Sequence, residues 1–230
     1  AIETLLDRQN PAGEIGQWDR SDGRSLPQSL DYIADFLVRA KAAGYAVPRD
    51  RLDLLLDHIE TAQLQGSPED EEDGDGNGGS SRLNTRAYAT YVLARAGRLH
   101  PDVIHNLAAA LVTRKDQGRT RVLWAGNADV NAQAQPLALG HIAVSLALDD
   151  TPDDGSPSSP GALFDAAIAA LGPARVGPPP LWDGNYWAYV RDLGGLAALT
   201  AEARDDRRTR LLIERFGKLA LAPDDLMNTT

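Results

Sequence analysis

No cysteine occurs in the 230 residues. Disulfides, thiolate metal sites and cysteine nucleophiles are therefore excluded within the chain. The lack does not fix a compartment, because a periplasmic protein can also do without cysteine. Aromatic residues are sparse at 6%. No apolar run approaches the roughly 18 residues that a membrane-spanning helix needs, and no signal peptide is visible. Positive charge is in deficit: 23 Lys and Arg face 33 Asp and Glu, for a net charge of −10. A nucleic-acid backbone and an anionic membrane surface would both be repelled. No Lys/Arg stripe with interleaved aromatics offsets this, so nucleic acid and membrane are not expected partners. The chain opens at Ala1 with a helix already under way and closes on Met227-Asn228-Thr229-Thr230, which predicts a domain fragment.

What the chain has is alanine and leucine at helical spacing. A short helix is predicted over Ile2 to Arg8, followed by the turn Gln9-Asn10-Pro11-Ala12-Gly13. Pro27 opens a helix whose apolar face is Leu30, Ile33, Ala34, Leu37 and Ala40, widened by Tyr32 and Phe36, with Gly44 as its stop. Pro48 opens the next, with Leu52, Leu55, Leu56 and Ile59. Asn84 is a candidate N-cap for a helix carrying Tyr88, Tyr91, Val92 and Ala96 before Gly97. Pro101 opens a fourth long helix through Ile104, Leu107, Ala108 and Leu111. Pro136 starts or kinks a helix through Leu139, Ile142, Ala143 and Leu146. Further helices are predicted over residues 162–171, after Trp182 (Tyr186, Tyr189, Val190, Leu193), and over 207–220 (Leu212, Phe216, Leu219). No sustained period-two alternation and no hairpin turn stand out, so the predicted class is all-α.

A repeat organises these helices. Leu123-Trp124-Ala125-Gly126-Asn127 returns 58 residues later as Leu181-Trp182-Asp183-Gly184-Asn185, and Ile15-Gly16-Gln17-Trp18 takes the same place earlier. The unit is a helix pair of about 50 to 60 residues, longer than common solenoid repeats. One pair cannot cover its own apolar faces, so neighbours must stack. Unit length and the Gly/Trp turns favour a closed alpha/alpha toroid over an open solenoid. Four pairs are visible, so the ring is expected to be incomplete. Residues 1–230 are expected to form one domain, with loop insertions at 66–82 and 151–161.

Reactive constellations fail on spacing. Asp73, Asp75, Asn77 and Gly78 imitate the start of a calcium loop, but its twelfth position is Asn84 where a bidentate Glu is required. His58, His100, His105 and His141 form no His-Glu-x-x-His pattern. No Gly-x-Ser-x-Gly elbow or phosphate-binding glycine loop is present. No metal, cofactor or catalytic residue is therefore expected. Trp182, Tyr186, Trp187 and Tyr189 are the densest aromatic group. They suit a packing wedge between helix and turn, or the lining of a sugar or isoprenoid cavity in a toroid enzyme. Prenyltransferase chemistry would need a zinc-ligating cysteine, and the acid pairs Asp149-Asp150, Asp153-Asp154 and Asp205-Asp206 do not match a cyclase Asp-x-Asp-Asp motif.

Three stretches carry a family resemblance. Leu5 to Trp18 (LLDRQNPAGEIGQW) is similar to the Gln-Asn-x-Asp-Gly-x-Phe-Gly-x-Trp turn of bacterial alpha-2-macroglobulins, with Ala12 and Ile15 in place of the usual Asp and Phe. Ser29 to Ala40, with Gly44-Tyr45-Ala46-Val47-Pro48, resembles the family's Ala-Tyr-Val-Thr-Asp-Phe-Leu helix and Gly-Tyr-x-Val-Pro turn. Arg86 to Gly97 resembles its Ala-Tyr-Ala-Leu-Tyr-Val-Leu-Ala-Arg-Ala-Gly helix. The resemblance is strongest over residues 2–97. It implies part of the thioester domain of a periplasmic protease trap, an endopeptidase inhibitor of bacterial defence rather than an enzyme. The parent's other domains and target proteases would be the partners, and any membrane anchor would lie elsewhere in the parent. The family's thioester joins a Cys and a Gln of a Cys-x-Glu-Gln motif, upstream of the part matching Ile2. That motif is absent from this chain, as it is from some bacterial members. The alternatives are a toroid enzyme acting on an isoprenoid or polysaccharide, and a protein-binding helical scaffold.

Overall fold

The structure, a computed structural model, describes residues 2–21, 27–65, 78–116, 119–124, 133–172 and 184–220. Proline and glycine set most of its helix limits. Helices α1 (Ile2–Leu6), α2 (Pro27–Ala42), α3 (Arg49–Ile59), α4 (Gly78–Arg95), α5 (Pro101–Ala109), α6 (Pro136–Leu148), α7 (Pro160–Ala170), α8 (Gly184–Glu202) and α9 (Asp206–Ala220) follow in order. Four of them open on proline, whose fixed φ and missing N–H suit a first helical turn. The helical expectation holds nearly throughout, and the starts at Pro27, Pro101 and Pro136 fall where the sequence placed them.

The helical repeat has a backbone signature. Helices α2, α4, α6 and α8 all end in the same pair of hydrogen bonds. After α2, Tyr45 N–H donates to the Ala40 carbonyl and Gly44 N–H to Lys41, both at 3.0 Å. After α4, Arg98 donates to Leu93 (2.8 Å) and Gly97 to Ala94 (3.0 Å). After α6, Thr151 donates to Leu146 (3.0 Å) and Asp150 to Ala147 (3.3 Å). After α8, Asp205 donates to Thr200 (2.9 Å) and Arg204 to Ala201 (3.1 Å). This Schellman ending requires one residue in the left-handed region. Gly44 (φ 86°), Gly97 (φ 83°), Asp150 (φ 53°) and Arg204 (φ 57°) supply it.

The chain divides into two compact units, residues 1–108 and 109–230. In the first, α2 packs on both α3 and α4. Its core holds Leu30, Ala34, Leu37, Leu52, Leu55, Leu56, Ile59, Tyr91, Val92 and Leu93. A π-helical turn, Glu60–Gln65, continues α3 and packs on α4. In the second, α6 packs on α7 and α8, and α8 on α9. Leu139, Ile142, Leu146, Phe164, Leu193, Leu196 and Leu212 are buried there. Helices α6 and α8 approach closely at two glycines. A Cβ on Gly140 would lie 2.7 Å from Leu196 and 2.9 Å from Leu199, and one on Gly195 would lie 2.5 Å from Leu137.

Five local expectations are corrected. First, residues 111–124 are not helix and turn. Strands β1 (Leu111–Asp116) and β2 (Arg119–Trp124) form an antiparallel hairpin, in register from Leu111↔Trp124 to Asp116↔Arg119. Val122, Leu123 and Trp124 are all buried, and β2 packs on α7. Consecutive burial erases the alternation by which a strand is recognised. Second, Leu111 begins β1 rather than continuing α5. Third, Asn84 is no N-cap: α4 starts at Gly78, and Asn84 is buried inside it. Fourth, Tyr32 (70% exposed) and Phe36 (44% exposed) do not widen the buried face of α2. That face widens the other way, through Asp31 and Val38. Fifth, Phe216 is likewise 43% exposed rather than in the core.

The expected insertion at 66–82 lies partly outside the described residues, and its last five residues belong to α4. Of the expected insertion 151–161, Thr151–Ser159 is non-helical and ends in the capping residue of α7, while Pro160 and Gly161 open that helix.

Candidate functional site

The residues of the first matched stretch build a turn docked on α3. Gln9 is 1% exposed. Its amide Nε2 donates to the Arg51 carbonyl (2.9 Å) and the Gly13 carbonyl (3.3 Å). Gln9 and Ile15 bridge antiparallel, which closes the turn. Asn10 Oδ1 accepts from the N–H groups of Ala12 (2.9 Å) and Glu14 (3.1 Å), and its Nδ2 donates to Glu14 Oε2 (2.7 Å). Gly13 stands at φ 95°, and a Cβ there would lie 2.3 Å from the Leu54 carbonyl oxygen. Glycine is thus required twice, by conformation and by space. Ile15 is buried at the place of the family's Phe, while Trp18 is 78% exposed.

The second and third stretches meet in a polar layer between α2 and α4. Asp35 accepts from Arg39 Nε at both oxygens (2.8 and 2.9 Å) and from the Tyr88 hydroxyl (3.4 Å). Arg39 Nη2 donates to the Tyr91 hydroxyl (2.6 Å), and Arg95 Nη1 donates to the same oxygen (3.0 Å). Tyr88 and Tyr91 stack with centroids 6.2 Å apart. Burial pushes the Tyr88 phenol above its ordinary range, and the negative charge of Asp35 adds to this. Deeper on α2, Asp31 accepts from Gln63 Nε2 (2.8 Å). Arg86 of α4 donates to the Leu64 carbonyl (2.9 Å). The π turn is thereby held from both sides.

These groups lock helices together. Asp35 is committed to Arg39 and Tyr88, and Asp31 accepts from Gln63; among the described residues of this layer no nucleophile and base stand together as acyl transfer would require. Arg98, the residue after Gly97, reaches Asp53 (3.3 Å), Asp57 and Glu60 (3.5 Å) and ties the α4 ending to α3 and the π turn. In the second unit Arg208 is nearly buried and pairs with both oxygens of Asp165 (2.8 and 2.7 Å) and with Asp205. These bonds raise the Arg208 pKa and lower that of Asp165.

The histidines are scattered. His58 lies 3.8 Å from Glu14, His100 lies 3.4 Å from Glu60, His105 is on α5 and His141 is on α6. Among the described residues no group of three or more His, Asp or Glu could hold a metal ion. The acidic residues Asp73 and Asp75 and Asn77 lie outside the described residues, as does Trp182. Tyr186 and Trp187 fall in the first turn of α8, their side chains outside the described part. Tyr189, one turn on, is buried. Sequence reading did not single out the Asp31–Gln63 pair. Asp31 follows Leu30 on the buried side of α2, and only the position of the π turn brings Gln63 to it.

Comparison with known proteins extends the motif resemblance. No family model matches the chain. The alpha-2-macroglobulin of Escherichia coli strain K12 is 25% identical over 205 residues, covering 87% of this chain and 10% of that protein. An alpha-2-macroglobulin homolog of Yersinia pestis is 29% identical over 110 residues, covering 48% of this chain and 5% of that protein. The chain therefore spans a tenth or less of the length of these relatives. In fold it is similar to native E. coli alpha-2-macroglobulin seen by cryo-electron microscopy, with a TM-score of 0.61, 22% identity, and coverage of 96% of this chain and 12% of that one. It is also similar to a crystal structure of the E. coli protein from domain MG7 to the C-terminus, with a TM-score of 0.62, 23% identity, and coverage of 96% and 31%. Trypsin-activated E. coli alpha-2-macroglobulin gives a TM-score of 0.62 at 23% identity, with coverage of 93% and 12%. The homologues of this chain are bacterial alpha-2-macroglobulins.

Proposed function

We propose that the chain is the helical frame of a thioester-type domain in a bacterial protease-trapping macroglobulin. It positions other parts of its parent and contributes no electrophile. The carrying observation is the sequence relationship to an alpha-2-macroglobulin through nearly the whole chain. The matched residues support it, because Gln9, Gly13 and Tyr91 are those that close a turn on α3 and pack α4. In this reading all 230 residues belong to one alpha/alpha toroid. The four equivalent helix endings support this, since repeated helix pairs would share one kind of turn. The partners are then the parent's other domains and, through the parent, target proteases. The compartment is the periplasm. Covalent capture of a protease needs an activated acyl group, and a chain without cysteine cannot form a Cys–Gln thioester. Trp182, Tyr186 and Trp187 act as a packing wedge on this account.

The test compares this chain with its parent polypeptide, each mixed with trypsin. The expected outcome is that the parent retains trypsin on a native gel and shields it from large substrates, whereas this chain leaves trypsin free and fully active. Inhibition by the chain alone would contradict the proposal. So would turnover of an isoprenoid or polysaccharide that disappears in Trp182→Ala or Trp187→Ala.

A further inference from the structure

Asp31 occupies an unusual place for a carboxyl group. It is 0% exposed, on the face of α2 that also buries Leu30, Ala34 and Leu37. One oxygen accepts from Gln63, and the other has no hydrogen-bond partner. Gln63 also has a buried carbonyl oxygen without a partner. An unpaired buried carboxylate costs far more than a neutral acid in the same place, so such a group keeps its proton.

Among the described residues, the charged groups around it are engaged elsewhere. On its own helix the next charged pair is Asp35 with Arg39, bound to each other. From α3, Leu52, Leu55, Leu56 and Ile59 supply the buried surface. Asp53 and Asp57 of that helix pair with Arg98, and His58 faces Glu14. From the π turn, Glu60 is engaged by Arg98 and His100. From α4 come Tyr88, bonded to Asp35, and Arg86, bonded to the Leu64 carbonyl. Burial pushes the Asp31 carboxyl up to about 8, opposed only by the Gln63 hydrogen bond.

We propose that Asp31 and Gln63 form an acid-stabilised latch: the protonated carboxyl clasps the π turn Glu60–Gln65 to α2, and loss of its proton to solvent releases the turn. The π turn is the natural moving part. It is a local departure from α geometry, of the kind found where a helix serves a function. Its other clasp, Arg86 on a backbone carbonyl, does not titrate in the same range.

The sign follows from the two protonation states. In the open latch Asp31 is hydrated and ionises near its ordinary 3.8, while in the closed latch it stays protonated up to about 8. Between these values the closed form holds a proton that the open form has lost. Rising pH therefore favours opening by about tenfold per pH unit, and the effect levels off above about 8.

Hydrogen exchange of the whole chain, read at the amides of residues 63–65 from about pH 5 to about pH 9 and corrected for intrinsic exchange, tests the latch. In the wild type, protection falls about tenfold per unit and then levels off near pH 8. In Asp31→Asn, which cannot ionise, it stays flat. A flat wild-type profile overturns the proposal, and so does an Asp31→Asn profile that falls in parallel with the wild type. Carbon-13 titration of the wild-type aspartate carboxyls decides independently of how that variant folds. One midpoint near 8 supports the latch, and all midpoints below about 5 overturn it.

Discussion

The two units end their leading helices in the same way but with different residues. In the first unit, α2 and α4 turn through Gly44 and Gly97. In the second, α6 and α8 turn through Asp150 and Arg204, which adopt the left-handed conformation that glycine takes without strain. The interiors differ too. A hydrogen-bonded layer of Asp35, Arg39, Tyr88 and Tyr91 joins α2 to α4, whereas close approach at Gly140 and Gly195 joins α6 to α8. One backbone plan is thus built twice, first with directional bonds and permissive turns, then with steric fit and strained turns. The stretches that resemble the family motifs, residues 5–18, 29–48 and 86–97, all lie in the first unit.

The comparison can be broken at several points. The largest effect is expected from Gly13→Ala, which forces a Cβ against the Leu54 carbonyl in a left-handed backbone. Urea unfolding should show a loss of about 3 kcal/mol or more. Hydrogen exchange should place that loss in the first unit. Gly140→Ala should cost about 1–2 kcal/mol and act on the second unit, because only leucine side-chain ends must move. A neutral result there would mean that α6 and α8 do not rely on close approach. The helix endings give a sign test. Gly97→Ala should destabilise by about 1 kcal/mol, whereas Arg204→Gly should stabilise by a similar amount. If both changes lower the melting temperature, the two endings are not equivalent. The smallest effect is expected from Ser159→Ala. It removes an N-cap whose hydroxyl accepts from Ala162 N–H at 3.4 Å, for a loss of about 0.5 kcal/mol.

The same contrast explains what the sequence could tell. Prolines at 27, 101 and 136 and glycines at 44 and 97 act through local backbone geometry, so the helices they bound were legible residue by residue. Asp150 and Arg204 do the work of glycine without looking like it, and the endings of α6 and α8 were hidden. The Gly78-Gly79-Ser80-Ser81 start of α4 was hidden as well, because its local propensity argues against helix. The hairpin at residues 111–124 escaped because its second strand buries three consecutive side chains. At the candidate site the turn from Gln9 to Trp18 was recognisable. Its dependence on the carbonyls of Arg51 and Leu54 was not, since backbone acceptors leave no trace in sequence. Asp31 reads as an ordinary helix-surface acid until the π turn sets Gln63 against it.

The central claim is that this chain supplies the frame, and none of the reactive chemistry, of a protease-trapping macroglobulin. Its most direct test is peptide-mapping mass spectrometry of the parent polypeptide after challenge with trypsin. The account predicts that trypsin is retained and that every covalent link to it maps outside residues 1–230. A link to any residue of this chain, or a parent that does not retain trypsin, would contradict it.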